Sequence, residues 1–158
     1  MAAGIRRAGP QDAAFLFVLY RSTRAKEFAF LPASQQEPIL RMQWEAQSRG
    51  YAAQFPNSED WVILWDGEPA GRVLWCEGPD ELRVVDVAVL AQFQNRGLGT
   101  YGLGLAAERA RQIGKPLRLT VRLDNHAAAR LYERLGFIPL RQDLLYVEME
   151  QRAAKPPV

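Results

Sequence analysis

Two stretches of this chain carry residue types that can do chemistry. The first runs Val85-Asp86-Val87-Ala88-Val89-Leu90-Ala91-Gln92-Phe93-Gln94-Asn95-Arg96-Gly97-Leu98-Gly99-Thr100. It reads as an apolar strand, a tight basic loop and the start of a helix. Glycines at 97 and 99 leave backbone N–H groups uncovered by side chains. Those donors fall at a helix N-terminus, where the peptide dipoles favour an anion, and Arg96 adds a positive charge. The combination suits a pyrophosphate. It is neither the dinucleotide-binding G-x-G-x-x-G nor a P-loop, because the spacing around Gly102 fails the first and no Gly-Lys-Ser/Thr follows for the second. An ordinary strand-to-helix turn is the competing reading of a Gly-x-Gly by itself.

The second stretch is Asn125-His126-Ala127-Ala128-Ala129-Arg130-Leu131-Tyr132-Glu133-Arg134-Leu135-Gly136-Phe137. Asn125 is a good helix cap. Tyr132 lies seven residues on, two helical turns later, so the two share one face, with the small Ala128 between them. A tyrosine so placed is either a proton donor or a buried residue with a hydrogen-bonded hydroxyl. Asp86 interrupts an otherwise apolar strand, where a carboxylate is costly unless it is partnered or used. Strand alternation puts it on the same side as Leu82, Val84 and Ala88. It is a candidate general base or a structural acceptor, and Glu81 at the start of the strand is a second candidate base.

Taken together, Gln94-x-x-Gly97-x-Gly99 and Asn125-x-x-Ala128-x-x-x-Tyr132-x-x-x-Gly136-Phe137 resemble the GNAT superfamily of acyl-CoA-dependent N-acetyltransferases, in order and in the gap between them. Within it the chain resembles a bacterial subgroup of unassigned substrate. The likeness is close over the last half of the chain and one of pattern only over the first. It implies a single GNAT domain over residues 1–158, with a mixed, mostly antiparallel sheet splayed between two central strands and helices on both faces. Gln94, Asn95, Arg96, Gly97, Leu98, Gly99 and Thr100 would cradle the pyrophosphate of coenzyme A. The main chain of Val87, Ala88 and Val89 would pair with pantetheine, a backbone N–H there polarising the thioester oxygen. Asn125, Ala128 and Tyr132 would lie against the cofactor, with Tyr132 protonating the departing thiolate. The base would be Asp86, Glu81 or a chain of waters.

The chain departs from the family at two places. Arg83 stands where the histone acetyltransferase pattern has glutamate, and His126 stands where proline is common. Phe28, Phe30, Trp44, Tyr51 and Phe55 fall where the family builds its acceptor pocket, one or two of them touching substrate. The implied activity is transfer of an acetyl group from acetyl-CoA to a primary amine of a small molecule, peptide or protein, by direct attack in a ternary complex and without a metal. The alternatives are a non-catalytic acyl-CoA-binding sensor or partner module of the same fold, and a nucleotide-binding protein using the same loop. A homodimer through strand or helix contacts is compatible with either.

Composition bounds these readings. The length of 158 residues suits one domain, and 48% hydrophobic residues suffice for a core. A formal net charge of +2 with 24% charged residues argues against a dedicated nucleic-acid binder. The lone Cys76 excludes an internal disulfide, and the single His126 argues against a protein-built metal site. No apolar run reaches bilayer length and no h-region follows the N-terminal arginines, so a cytoplasmic protein is expected.

The elements that position these residues follow from punctuation and periodicity. A strand is expected over Ile5 to Ala8, then a helix from Ala13 to Lys26 capped by Asp12, with Phe15, Val18 and Leu19 inward. A second helix is expected with Ser34 as cap, Glu37 completing a capping box, Pro38 in its first turn and Arg49-Gly50 as its end; Ile39, Met42 and Ala46 form its stripe. Trp61 to Trp65 and Ala70 to Cys76 flank the hairpin signal Asp66-Gly67. Glu81 to Val89 is the next strand. A helix over Gly97 to Ile113, with Leu98, Leu105, Ala106, Ala110 and Ile113 on one side, closes at Gly114. Within it Gly104 reads as a packing glycine, and Gly102 as either packing or room for phosphates. Leu117 to Val121 is a strand, Asn125 starts a helix that stops at Gly136, and Phe137 to Leu140 and Leu144 to Glu150 are closing strands. The tail from Ala153 to Val158 reads as frayed.

Overall fold

A computed structural model describes residues 2–152, apart from the side chains of residues 25 and 26; the expected frayed tail lies outside the described residues. The chain runs β1 (Ala3–Arg7), α1 (Ala13–Arg24), α2 (Ala33–Gln54), β2 (Glu59–Trp65), β3 (Glu68–Glu77), β4 (Leu82–Val89), α3 (Leu98–Ile113), β5 (Leu117–Arg122), α4 (His126–Arg134), β6 (Ile138–Gln142) and β7 (Tyr146–Gln151). The strands form one seven-stranded sheet in the order β1-β2-β3-β4-β5-β7-β6. Every pairing is antiparallel except β4 with β5, which α3 connects by a crossover. The expected α/β class and mixed, mostly antiparallel sheet are both present.

The β2–β3 hairpin follows from its turn chemistry. Asp66 and Gly67 both take positive φ, 48° and 83°, the pair of values a tight primed turn requires. The alternating apolar residues then sort to two faces. Ile63, Val73, Leu82, Val84, Leu117, Leu119 and Val121 bury against Leu98, Leu103, Ala106 and Ala110 of α3 and against Tyr132 and Phe137. α1 and α2 cover the other face, their Phe17 and Trp44 rings edge to face at 5.4 Å and Leu40 fully buried. Burying one such leucine is worth about 2 kcal/mol.

The N-terminal half departs from expectation in several details. Asp12 ends a 3-10 turn, and its carboxylate accepts from the Gly9 amide and both Arg6 terminal nitrogens instead of capping α1. Phe17 and Leu19 are the buried residues of α1, whereas Val18 is exposed. α2 starts at Ala33 with no side-chain cap, so Ser34 lies inside it, and it runs through Gly50 to Gln54. No atom lies within 4 Å of a Cβ added at Gly50. Its cost to the helix is about 1 kcal/mol, which leaves continuation possible where tertiary contacts favour it. The inward stripe is Gln36, Ile39, Leu40, Trp44, Gln47 and Tyr51, so Ile39 lies as expected, whereas Met42 and Ala46 are exposed. In α3 the packing role expected of Gly104 falls to Gly102, for which packing was one of two readings. A Cβ at Gly102 would come within 2.9 Å of Ile63 Cδ1, so this glycine is the one that lets helix and sheet close, whereas Gly104 is exposed with nothing within 4 Å.

Candidate active site

The site grows from an irregularity in β4. Leu74 of β3 opposes Asp86, but the next residue, Trp75, opposes Val84, so Val85 is one residue too many and forms a bulge. A bulge bends the strand that carries it and resets its alternation. The bend falls where β4 leaves β5: the two share only the pairs Leu82 with Leu117 and Arg83 with Arg118. Beyond them β4 keeps β3 on one side and, among the described residues, has no strand on the other, and the wedge between β4 and β5 opens. The reset corrects the expected placement of Asp86. Leu82 and Val84 face α3, and after the bulge it is Val87 and Val89 that do so. Asp86 and Ala88 turn to the α1–α2 face.

At the open end of β4 the loop is held taut. Leu90 N–H donates to Ala70 O at 2.8 Å, residues 91–93 make a 3-10 turn, and Gln94 Nε2 donates to Val89 O at 3.1 Å. Asn95 and Gly97 both take positive φ, 64° and 76°, which turns the chain into α3. No side chain caps α3 at Gly97. Its first amides therefore lack intrahelical partners, at the positive end of the dipole. They border a cleft of about 310 Å³ lined by Phe93, Gln94, Asn95, Gly97, Gly99 and Thr100, with Leu98 and Val89 behind. Leu131 and Arg134 of α4 close the other wall.

Arg96, the expected cation of this loop, points elsewhere. Its guanidinium stacks over Trp65 at 5.3 Å and Phe93 at 5.8 Å. The cationic side chain lining the cleft is Arg134, which the sequence reading passed over. Its position two residues after Tyr132 and three after the wall residue Leu131 is the signal that would have found it.

Asn125 caps α4, its Oδ1 accepting from the Ala128 amide at 3.2 Å. The short helix presents Tyr132 to the core, 9% exposed, its ring 5.7 Å from Phe137. Burial pushes the Tyr132 phenol up to about 12, with the Asp86 charge adding to the rise. The hydroxyl is thus protonated throughout the working pH range, a donor and never a base.

Asp86 is enclosed by the protein, yet 35% of its side chain remains exposed. Enclosure raises its pKa; Arg72 opposes the rise, and Asp60 adds to it. The second candidate, Glu81, sits where β4 and β5 are still paired and is engaged by Arg83 at 2.7 Å and Arg118 at 3.5 Å. Its carboxylate is committed to ion pairs at the closed end of the wedge.

On the α1–α2 side, Tyr51 and Phe55 from the end of α2, with Arg83 and Thr120, line a second cleft of about 310 Å³. Burial raises the Tyr51 pKa, and the Asp86 charge contributes. Of the five expected pocket aromatics, these two line a cleft in the site. Trp44 belongs to the helix–helix contact and Phe30 is 80% exposed. Arg83 is held by Glu148 at 2.9 Å and Thr120 at 3.1 Å, bridging β4, β5 and β7 at the closed end of the wedge. Cys76 is buried, which raises its pKa, and His126 is exposed. Among the described residues no helix is long and apolar enough to cross a membrane.

Comparison with known proteins agrees with this arrangement. The sequence pattern of the acetyltransferase (GNAT) family matches residues 23–137. Mycothiol acetyltransferase of Nocardiopsis dassonvillei is 39% identical over 101 residues, 63% of this chain and 27% of that protein. Mycothiol acetyltransferase of Corynebacterium glutamicum is 32% identical over 98 residues, 60% of this chain and 33% of that protein. The matches thus span about a third or less of these relatives' length. In three dimensions the chain is similar to the PaiA N-acetyltransferase of Thermoplasma acidophilum, whose crystal structure contains coenzyme A. The TM-score is 0.77 at 16% identity, over 96% of this chain and 99% of that one.

Proposed function

The chain belongs to the acetyltransferase (GNAT) family, and from that premise we propose that it moves an acetyl group from acetyl-CoA to a primary amine by direct attack in a ternary complex. The observation that carries this reading is the wedge between β4 and β5, open from Val84 onward and ending at an uncapped helix N-terminus. Such a wedge suits a slender chain that pairs with main-chain groups along its length and ends in a pyrophosphate. Family membership and the coenzyme A in the PaiA structure support that choice of cosubstrate.

The residues present fit it. The loop amides are bare because Gly97 and Gly99 carry no side chain, and a substituent at Gly99 would extend toward Leu131 across the cleft. The main chain of Val87, Ala88 and Val89 would hold pantetheine. The amides of residues 97–100, with Arg134, would hold the phosphates. Gln94 keeps the loop in place through Val89. Asn125 and Ala128 set the α4 wall.

Acetyl-CoA, when bound, supplies a thioester whose C–S bond is exchanged for a C–N bond. Asp86 takes the proton that the acceptor ammonium must lose before its nitrogen can attack. Its raised pKa brings it closer to the range where a carboxylate both binds and releases a proton usefully. Tyr132 acts as a donor. An ordinary thiolate has a pKa of about 8.5, so outright proton loss from a phenol at about 12 would run uphill by about 5 kcal/mol. The hydroxyl therefore works by donating a hydrogen bond where charge develops, and gives its proton to the thiolate only as it takes the second proton of the attacking nitrogen, so that no phenolate forms. Tyr51 and Phe55 wall the acceptor side.

The direct test is calorimetric titration with acetyl-CoA, repeated on Gly97→Val/Gly99→Val. Saturable one-to-one binding that the folded double variant loses is the expected result, and it would justify a screen of amines. Absence of binding to the unaltered protein at millimolar acetyl-CoA overturns the reading.

A further inference from the structure

Asp86 does not stand alone on its face of the sheet. Asp60 of β2 and Asp86 of β4 both stand opposite Leu74 of β3, and Arg72, two residues before Leu74 and so on the same face, reaches each of them diagonally. The three are unequally bonded. Arg72 gives Nε to Asp60 Oδ1 at 2.8 Å and Nη2 to Asp60 Oδ2 at 2.9 Å, a two-pronged pair. Asp86 receives only the remaining nitrogen, Nη1, with Oδ2 at 3.5 Å. Two-pronged carboxylate pairing is the strongest mode available to a guanidinium, so Arg72 is committed to the strand farther from the wedge.

We propose that Asp60 and Arg72 are positioning residues for Asp86: Asp60 takes the guanidinium fork and so leaves Asp86 with enough proton affinity to serve as the base, while the single Nη1 contact fixes its direction. The proposal rests on the reading of Asp86 as the general base and goes beyond it by naming what tunes that base. The geometry explains why two acids share one arginine. With Asp60 absent, the fork is free to turn to Asp86 and hold it ionised. With Arg72 absent, two carboxylates face each other without a cation between them. The other groups facing Asp86 are Arg24 from α1, Tyr51 from α2 and Tyr132 from α4. Arg24 is cationic and the two tyrosines are neutral in the working range. None of the three takes a share of the Arg72 fork.

The test compares Asp60→Asn and Arg72→Gln with the unaltered enzyme in two readouts. One is the acid limb of the kcat/KM profile; the other is the carboxyl carbon titration of Asp86 by nuclear magnetic resonance, assigned by its loss in Asp86→Asn. Asp60→Asn is expected to move both downward by about one pH unit, the scale of a carboxylate gaining a close cation. Arg72→Gln is expected to move both upward. A folded Asp60→Asn protein whose Asp86 titrates as before overturns the proposal, and it is decisive even where Arg72→Gln does not fold. Full turnover by Asp86→Asn would instead overturn the base reading on which the catalytic half rests, and the resonance titration would still decide whether Asp60 controls the Asp86 proton.

Discussion

At Tyr132, burial and a neighbouring negative charge act in the same direction, and the outcome is a phenol that never ionises under working conditions. Tyr132→Phe keeps the packing against Phe137 and removes only the donor. It is expected to lower kcat by about a hundredfold or more, with acetyl-CoA affinity in calorimetry unchanged within about twofold. A variant with unaltered turnover removes Tyr132 from the chemistry. Asp86 makes the complementary case. Its folded pKa lies above the unfolded value, so whatever it contributes to stability is present below the unfolded pKa and lost as pH rises through the folded one. At neutral pH its charge is therefore a cost. Asp86→Asn is expected to lose turnover while its melting temperature, relative to the unaltered protein, rises between pH 4 and pH 7, as thermal melts at both values would show. Both residue types were visible in the sequence, as were the bare glycines at 97 and 99. The roles of the two arginines were not. Arg96 lies inside the motif, but two aromatic faces from separate segments capture it, whereas Arg134 reaches the cleft only because α4 packs beside α3.

Among the elements, α3 and α4 were the most legible, because their ends carry explicit signals: Gly97 and Gly114 with positive φ around one helix, Asn125 and Gly136 around the other. The β2–β3 hairpin was readable from Asp66-Gly67 for the same reason. What the sequence withheld was the register between strands. The bulge at Val85 depends on how two strands lie against each other, so strict alternation along β4 alone put Asp86 on the wrong face. α2 was misjudged because tertiary packing of Leu40, Trp44 and Tyr51 carries the helix through a glycine that would end an isolated one. The glycines of α3 give a paired prediction at this scale. Gly102→Ala pushes a Cβ to within 2.9 Å of Ile63, and chemical denaturation should show a loss of about 1–3 kcal/mol. Gly104→Ala meets open space, and should gain up to about 1 kcal/mol from helix propensity. Equal effects at the two positions would contradict the packing described here.

In the molecule as a whole, the two halves of the sheet meet through two residue pairs, with the ion pairs of Arg83 and Arg118 beside them, and are further bridged by α3 and its core. A ligand lying in the wedge therefore ties half to half. Hydrogen exchange should report it: amides of residues 87–89 and 97–100 are expected to slow on addition of acetyl-CoA, while those of β1 and β2, remote from the wedge, stay as they were. Protection confined to any other region would place the ligand elsewhere. The wedge has one more effect, on the protein's behaviour in a crowded solution. A strand with an unmet row of N–H and C=O groups normally invites passing polypeptides to add on, the first step of aggregation. Here that row is walled by β5 on one flank and closed at Leu82 and Arg83. An extended polypeptide, with side chains projecting to both faces, needs more room there than a slender chain does. The opening thus sorts callers by girth: this row is turned inward, where only a thread can reach it.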